Sequence, residues 1–136
     1  SRNWHAGVRQ SGRARTINRE KLDAGELTTA LNDPASFRAR VFFPYLELIR
    51  LWRRQPAFHP KAGFDILDTD PGIFAIRRRG GGQTLLSLTN VTARPLTLQP
   101  ETAGIDPPAW DLITGRTLGA ATLTLEPYQF VWLENR

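Results

Sequence analysis

The chain has 136 residues, 40% hydrophobic and 23% charged, the composition of a single globular domain and not of a disordered or fibrous polymer. It contains no Cys, no Met and only two His, His5 and His59. That excludes disulfides, thiolate metal sites and cysteine nucleophiles, and leaves neither a metal site nor a cofactor expected. The net charge of +5 is uneven: residues 1–60 carry 11 Lys and Arg against 5 Asp and Glu, residues 61–136 carry 7 against 8, and 16 of the 18 basic residues are Arg.

Residues 1–22 have neither helical nor strand periodicity. Gly7 and Gly12 punctuate them, and Arg2, Arg9, Arg13, Arg15 and Arg19 crowd them, so they read as a long basic loop. Asp23 then starts a helix, with Glu26 three residues on as in a capping box and Leu27 and Leu31 on one face. Asn32-Asp33-Pro34 ends that helix and opens the next, with Asp33 as N-cap and Pro34 as first helical residue. From Pro34 to about Arg54, an apolar stripe runs through Phe37, Val41, Tyr45, Leu48, Ile49 and Trp52. Pro44 lacks an N–H and crowds the preceding turn. A short helix to about Phe42 and a second from Pro44 are therefore expected, a single kinked helix being the alternative.

From Phe64 the pattern changes to short apolar runs at 64–67, 73–77, 84–91, 95–98, 121–125 and 128–133, separated by Gly, Pro, Asn and Asp. Gly80-Gly81-Gly82 marks a hairpin, and Ala121-Thr122-Leu123-Thr124-Leu125 alternates as a half-buried strand does. The runs predict an antiparallel sandwich, with its boundary in Gln55–Gly63. The fold class is thus α+β, a helical part at 1–60 and an all-β domain at 61–136. The amphipathic helices must bury their stripes against the β-module or against sequence outside this chain. A chain that begins at Ser1 instead of Met points to a fragment or a processed protein.

Several side chains could carry chemistry, and each has a plainer reading. Arg77-Arg78-Arg79 reads as the end of a strand, because alternate residues face opposite sides and one must terminate the strand or snorkel. Trp132 and Phe130 read as core, and Trp110, after Pro107-Pro108, as core or exposed platform. His59 is expected to pack at the domain junction. Asn90-Val91-Thr92 matches a glycosylation sequon by chance, since no signal pattern precedes it. No apolar run approaches the ~20 residues of a membrane-spanning helix. The expected location is cytoplasmic, with no membrane and no nucleic acid as partner.

One ordered series of segments is more specific. Gly12-Arg13-Ala14-Arg15-Thr16-Ile17-Asn18-Arg19-Glu20 is followed by a helix, an Arg-x-Arg-Val-Phe segment and Pro56-Ala57-Phe58-His59-Pro60. Asn90-Val91-Thr92, Asp111-Leu112-Ile113-Thr114-Gly115, Leu125-Glu126-Pro127-Tyr128-Gln129 and Trp132-Leu133 then complete it. The series resembles the end of the sucrose phosphorylase-like subgroup of the α-amylase superfamily. Its Gly-Arg-Ala-Arg and Pro-Ala-Phe-His-Pro segments look more like the glucosylglycerate and sucrose-6-phosphate phosphorylase branches. The resemblance implies that 1–22 is the loop after the last strand of a (β/α)8 barrel, 23–54 the barrel's last helices and 64–136 its C-terminal β-sandwich. It further implies a retaining glucosyl transfer from an α-glucoside to phosphate by carboxylates upstream of this chain, so no catalytic residue lies within it. Arg19 would donate to glucose hydroxyls, with Asn18 beside it. The implied partners are a small sugar, phosphate and the remainder of the catalytic barrel.

Arg13 and Arg15 have two open readings. They are donors to a phosphate or carboxylate at the acceptor pocket, or they belong to a solvated basic loop. A reading from another class makes the chain a stand-alone β-sandwich with a basic arm for nucleic acid or an acidic polymer. Only Trp4 interleaves the Arg residues, however, and no nucleic-acid motif is present. A third reading is a domain that only stabilises a parent barrel.

Overall fold

A computed structural model describes residues 3–119 and 122–135. Arg2 of the basic loop and Ala121 of the 121–125 run lie outside the described residues. The chain forms two compact units, 1–45 and 46–136.

In the first unit, the segment expected as a loop is ordered into two short helices. Helix α1 spans His5–Ser11, and a 3-10 helix spans Ala14–Asn18. Seven residues are too few to show a periodic stripe, and so short a helix needs outside support. Trp4 supplies it: its backbone N–H donates to the Ile17 carbonyl at 2.7 Å, and its ring lies over Gly7, where a Cβ would come within 2.1 Å of Cε3. Gly12 ends α1 at φ +63°, with its N–H donating to the Val8 carbonyl, a left-handed cap that favours glycine.

Helix α2, Ala24–Asn32, starts as expected, with the Asp23 carboxylate accepting from the Glu26 N–H at 2.9 Å. The next helix does not start at Asp33. Asp33 Oδ1 accepts from Ala35 N–H in a turn, and Ser36 Oγ accepts from Ala39 N–H at 3.0 Å while donating to the Ala30 carbonyl. Ser36 is therefore the cap of α3, Phe37–Arg53, and Pro34 stays in the turn. Pro44 lies inside α3 without dividing it, so the single-helix alternative holds. On the stripe of α3, Phe37 is 74% exposed, and Val41 and Tyr45 are also exposed.

Among its described residues the second unit holds eight strands. These are β1 Gly63–Leu67, β2 Ile73–Gly80, β3 Gln83–Asn90, β4 Leu96–Leu98, β5 Ala109–Asp111, β6 Arg116–Leu118, β7 Leu123–Leu125 and β8 Phe130–Asn135. All described pairings are antiparallel. Six strands form one sheet in the order β1-β2-β3-β8-β5-β6, and β4 pairs with β7 in a second. The β2–β3 turn is the glycine hairpin expected, with Gly81 and Gly82 at φ +58° and +80° and Gly80 paired with Gln83. The three-residue strands β5 and β6 were not anticipated. They lack an apolar run, and β5 follows Pro107-Pro108.

Ile73 and Ala75 of β2, Leu86 and Leu88 of β3, and Val131 and Leu133 of β8 point to one face of the large sheet. Leu125, Ile105, Ala103 and Ala109 join them in the core, and Leu96, Leu98 and Leu123 of the small sheet pack on it. That two-layer arrangement is a sandwich. Trp132 and Phe130 do not lie in this core. The period-2 alternation that buries Val131 and Leu133 turns both rings to the opposite face, where Trp132 is half-buried and Phe130 36% exposed.

Candidate functional site

Arg13 precedes the 3-10 helix, Arg15 and Asn18 lie within it, and Arg19 closes it. All four are exposed. The sequence supplies rigidity around them. Ser11 Oγ donates to the Gly7 carbonyl at 2.7 Å and meets Thr16 Oγ1 at 2.8 Å, which ties the end of α1 to the middle of the turn. Arg13 N–H donates to Ser11 Oγ, and Arg19 N–H to the Thr16 carbonyl. The backbone is thus fixed on both sides of the Arg residues, whose side chains carry no ion pair among the described residues. The result is a folded cationic projection. Sequence reading found the charges but missed the Trp4–Gly7 packing and the Ser11–Thr16 link that hold them. An aromatic three residues before a glycine was the available signal.

Other candidates in the second unit resolve into framework. Arg77, Arg78 and Arg79 stand at the end of β2, just before its last residue Gly80, as expected. Arg79 Nη2 meets Asp65 Oδ2 at 2.7 Å and Arg77 Nη2 meets the same oxygen at 3.4 Å, across the β1–β2 ladder. The bond from Arg79, with Arg77 adding to it, holds the Asp65 carboxyl below the usual carboxylate range. Arg78 faces the other way. Its Nε donates to the Ala57 carbonyl at 2.7 Å, and its guanidinium lies over the rings of Phe58 and Phe64. His59 is exposed and does not pack as expected; its Nδ1 accepts from Lys61 N–H. Trp110 is half-buried.

Two motif residues are buried hubs. Asn90 is fully buried; its Nδ2 donates to the carbonyls of Arg94, Leu125 and Glu126, and its Oδ1 accepts from Thr92 N–H and Oγ1. Asp111 Oδ1 accepts from Ile113 N–H and Trp132 N–H, and its Oδ2 from Thr114 N–H and Oγ1. Gly115 follows at φ +66° with its N–H on the Asp111 carbonyl. The Asn-Val-Thr and Asp-Leu-Ile-Thr-Gly segments are therefore loop-folding devices. Among the described residues no group of His, Cys, Asp and Glu could hold a metal ion, and no helix is long and apolar enough to cross a membrane.

No family model matches the chain. It is 36% identical over 129 residues to the glucosylglycerate phosphorylase of Allomeiothermus silvanus, covering 95% of this chain and 21% of that protein. It is 33% identical over 135 residues to the enzyme of the same name from Escherichia coli K12, covering 98% and 23%. The chain thus spans about a fifth of the length of the curated relatives it matches. Among solved structures, trehalulose synthase MutB from Pseudomonas mesoacidophila MX-45 superposes with a TM-score of 0.56 at 22% identity, over 79% of this chain and 19% of that one. AmyP in complex with maltose gives 0.57 at 18%, over 65% and 19%. At such identities the likeness is one of fold. The resemblance to sugar phosphorylases, read above from the ordered motifs, is borne out by the glucosylglycerate phosphorylase relatives.

Proposed function

We propose that this chain is the C-terminal part of a retaining glycoside phosphorylase that transfers glucose between glucosylglycerate, or a similar α-glucoside, and phosphate. The observation that carries the reading is the identity to glucosylglycerate phosphorylases along nearly the whole chain, with the motif segments in their expected order. In this reading residues 1–60 end the catalytic barrel and 61–136 form its C-terminal sandwich. The exposed stripe Phe37, Val41 and Tyr45 on α3 supports it, because three such side chains one helical turn apart call for a partner surface.

The chemistry assigned to this chain is substrate binding. Glucose hydroxyls lose water on entering a pocket and need replacement partners. Arg19, fixed at the end of its 3-10 turn, donates its planar fork to two of them, with Asn18 adjacent. Arg13 and Arg15 supply cationic donors for the incoming phosphate or the acid group of the acceptor. The attacking and protonating carboxylates belong to the preceding barrel. The 136-residue chain alone therefore releases no glucose 1-phosphate above a buffer blank.

The test is Arg19→Lys in the full-length enzyme. Lysine keeps the charge and loses the fork. A charge-assisted bond is worth ~1.5–3 kcal/mol, so kcat/KM for the glucosyl donor is expected to fall about 10- to 150-fold, with thermal stability unchanged. Wild-type kcat/KM would remove Arg19 from the glucose subsite.

A further inference from the structure

A helical threonine ordinarily spends its hydroxyl on its own backbone, as Thr28 of α2 does by donating to the Ala24 carbonyl at 2.8 Å. Thr16, in the 3-10 turn Ala14–Asn18, does not; its Oγ1 lies 2.8 Å from Ser11 Oγ. The direction of that bond follows from counting protons. A hydroxyl has one hydrogen and two lone pairs. Ser11 Oγ gives its hydrogen to the Gly7 carbonyl, which can only accept, and takes the Arg13 N–H at 3.3 Å on one lone pair. The contact with Thr16 therefore uses the second lone pair, and Thr16 is the donor. Ser11 is saturated. Thr16 has spent its only hydrogen and keeps two lone pairs, to which nothing donates among the described residues.

Thr16 is half-buried, and Arg13 and Arg15 stand beside it in the turn with exposed side chains. Guanidinium groups are donors only and attract any anion. Thr16 is the opposite, an acceptor only. A carboxylate oxygen placed at its Oγ1 would set lone pair against lone pair with no proton between them, whereas an alcohol has a hydrogen to give. The turn thus offers cations for an acid group and, one residue from Arg15, an acceptor for a hydroxyl.

We propose that Thr16 is a specificity-determining residue whose Oγ1 accepts a hydrogen bond from a free hydroxyl of a hydroxy acid, the carboxylate of that acid lying on Arg13 and Arg15. Ser11 is the positioning residue that turns the Thr16 hydrogen away from the ligand. The proposal rests on the reading above that this turn borders the site of the acid, and deepens it. In glucosylglycerate one hydroxyl of the acid carries the glucosyl group and the other is free. Arginine alone does not distinguish that acid from an analogue without the second hydroxyl. Thr16 does, because a site built to bond a hydroxyl is left with an unpaired oxygen when the hydroxyl is missing.

Ligand-observed NMR titrations of the full-length protein provide the test, with a phosphorolysis assay alongside. The ligands are glycerate, its analogues lactate and 3-hydroxypropanoate, which each lack one of its hydroxyls, and sulfate, an anion with no proton to give. Wild type is expected to bind glycerate about 10-fold more tightly than the weaker analogue. Thr16→Val keeps the shape and removes the oxygen; it is expected to bring that ratio below about twofold, with sulfate affinity held within about twofold. Thr16→Ser keeps an oxygen there and is expected to retain the preference. A wild type without the preference, or an unchanged ratio in Thr16→Val, overturns the proposal even if the protein is an active phosphorylase. Equal weakening of all four ligands in Thr16→Val assigns the residue to bracing the turn alone and also overturns it. A ratio that depends on Thr16 in a protein without phosphorylase activity supports the proposal and overturns only the functional reading.

Discussion

Asn90 and Thr92 are joined by two hydrogen bonds, the Asn90 Oδ1 accepting from the Thr92 amide at 2.9 Å and from its hydroxyl at 2.7 Å. The same carboxamide donates to three carbonyls, those of Arg94, Leu125 and Glu126, so a single buried side chain closes the end of β3 onto the segment that leaves β7. Asparagine is needed because it offers both a donor and an acceptor at one fully buried position.

Replacing Asn90 by Ala removes that hub and leaves carbonyls without a donor. The expected cost is about 2–4 kcal/mol, read as a lower urea midpoint at unchanged slope. Asn90→Asp, isosteric but without donors, is expected to be at least as damaging. A midpoint within error of wild type for both variants would show that the hub contributes nothing to stability.

Asp65 gives the sandwich a pH dependence of known sign. Its folded-state pKa is lowered, chiefly by the bond from Arg79. The contribution of the pair is therefore fully present above the unfolded carboxyl value of ~3.9 and is lost as pH falls through the folded value. Wild type is expected to exceed Asp65→Asn in stability at neutral pH, with the difference shrinking below pH ~4 and with added salt. Urea midpoints of the two proteins across pH provide the check; a gap independent of pH would rule out the ion pair as its source.

Gly7 governs the cationic projection. A methyl at this position enters the Trp4 ring at 2.1 Å, so Gly7→Ala must expel the indole and weaken the Trp4 N–H bond to Ile17. Exchange of the Trp4 amide is expected to accelerate about 10-fold or more, with β3 amides unaffected. In the full-length enzyme the same variant is expected to lower kcat/KM, because Arg19 closes the turn that Trp4 holds. Unchanged exchange would mean that the ring and the turn are not coupled.

Much of the second unit was legible in the chain. The runs at 64–67, 73–77 and 84–91 became β1 to β3, and the three glycines formed the hairpin, because a period of two and a positive φ are local properties. The Asp23 cap was legible for the same reason. Sequence also placed the cationic residues at 13, 15 and 19 and supplied the family likeness. Tertiary structure decided the rest. Ser36 displaced Asp33 as the cap of α3 because its hydroxyl reaches back to Ala30 as well as forward to Ala39, a contact set by how α2 ends. α1 exists because Trp4 packs on Gly7 and bonds Ile17, thirteen positions away, which no local propensity encodes. Trp132 and Phe130 looked like core because they are aromatic and in a strand. Which of the two faces of a strand meets the second sheet is fixed only when the layers stack, and here Val131 and Leu133 took that side.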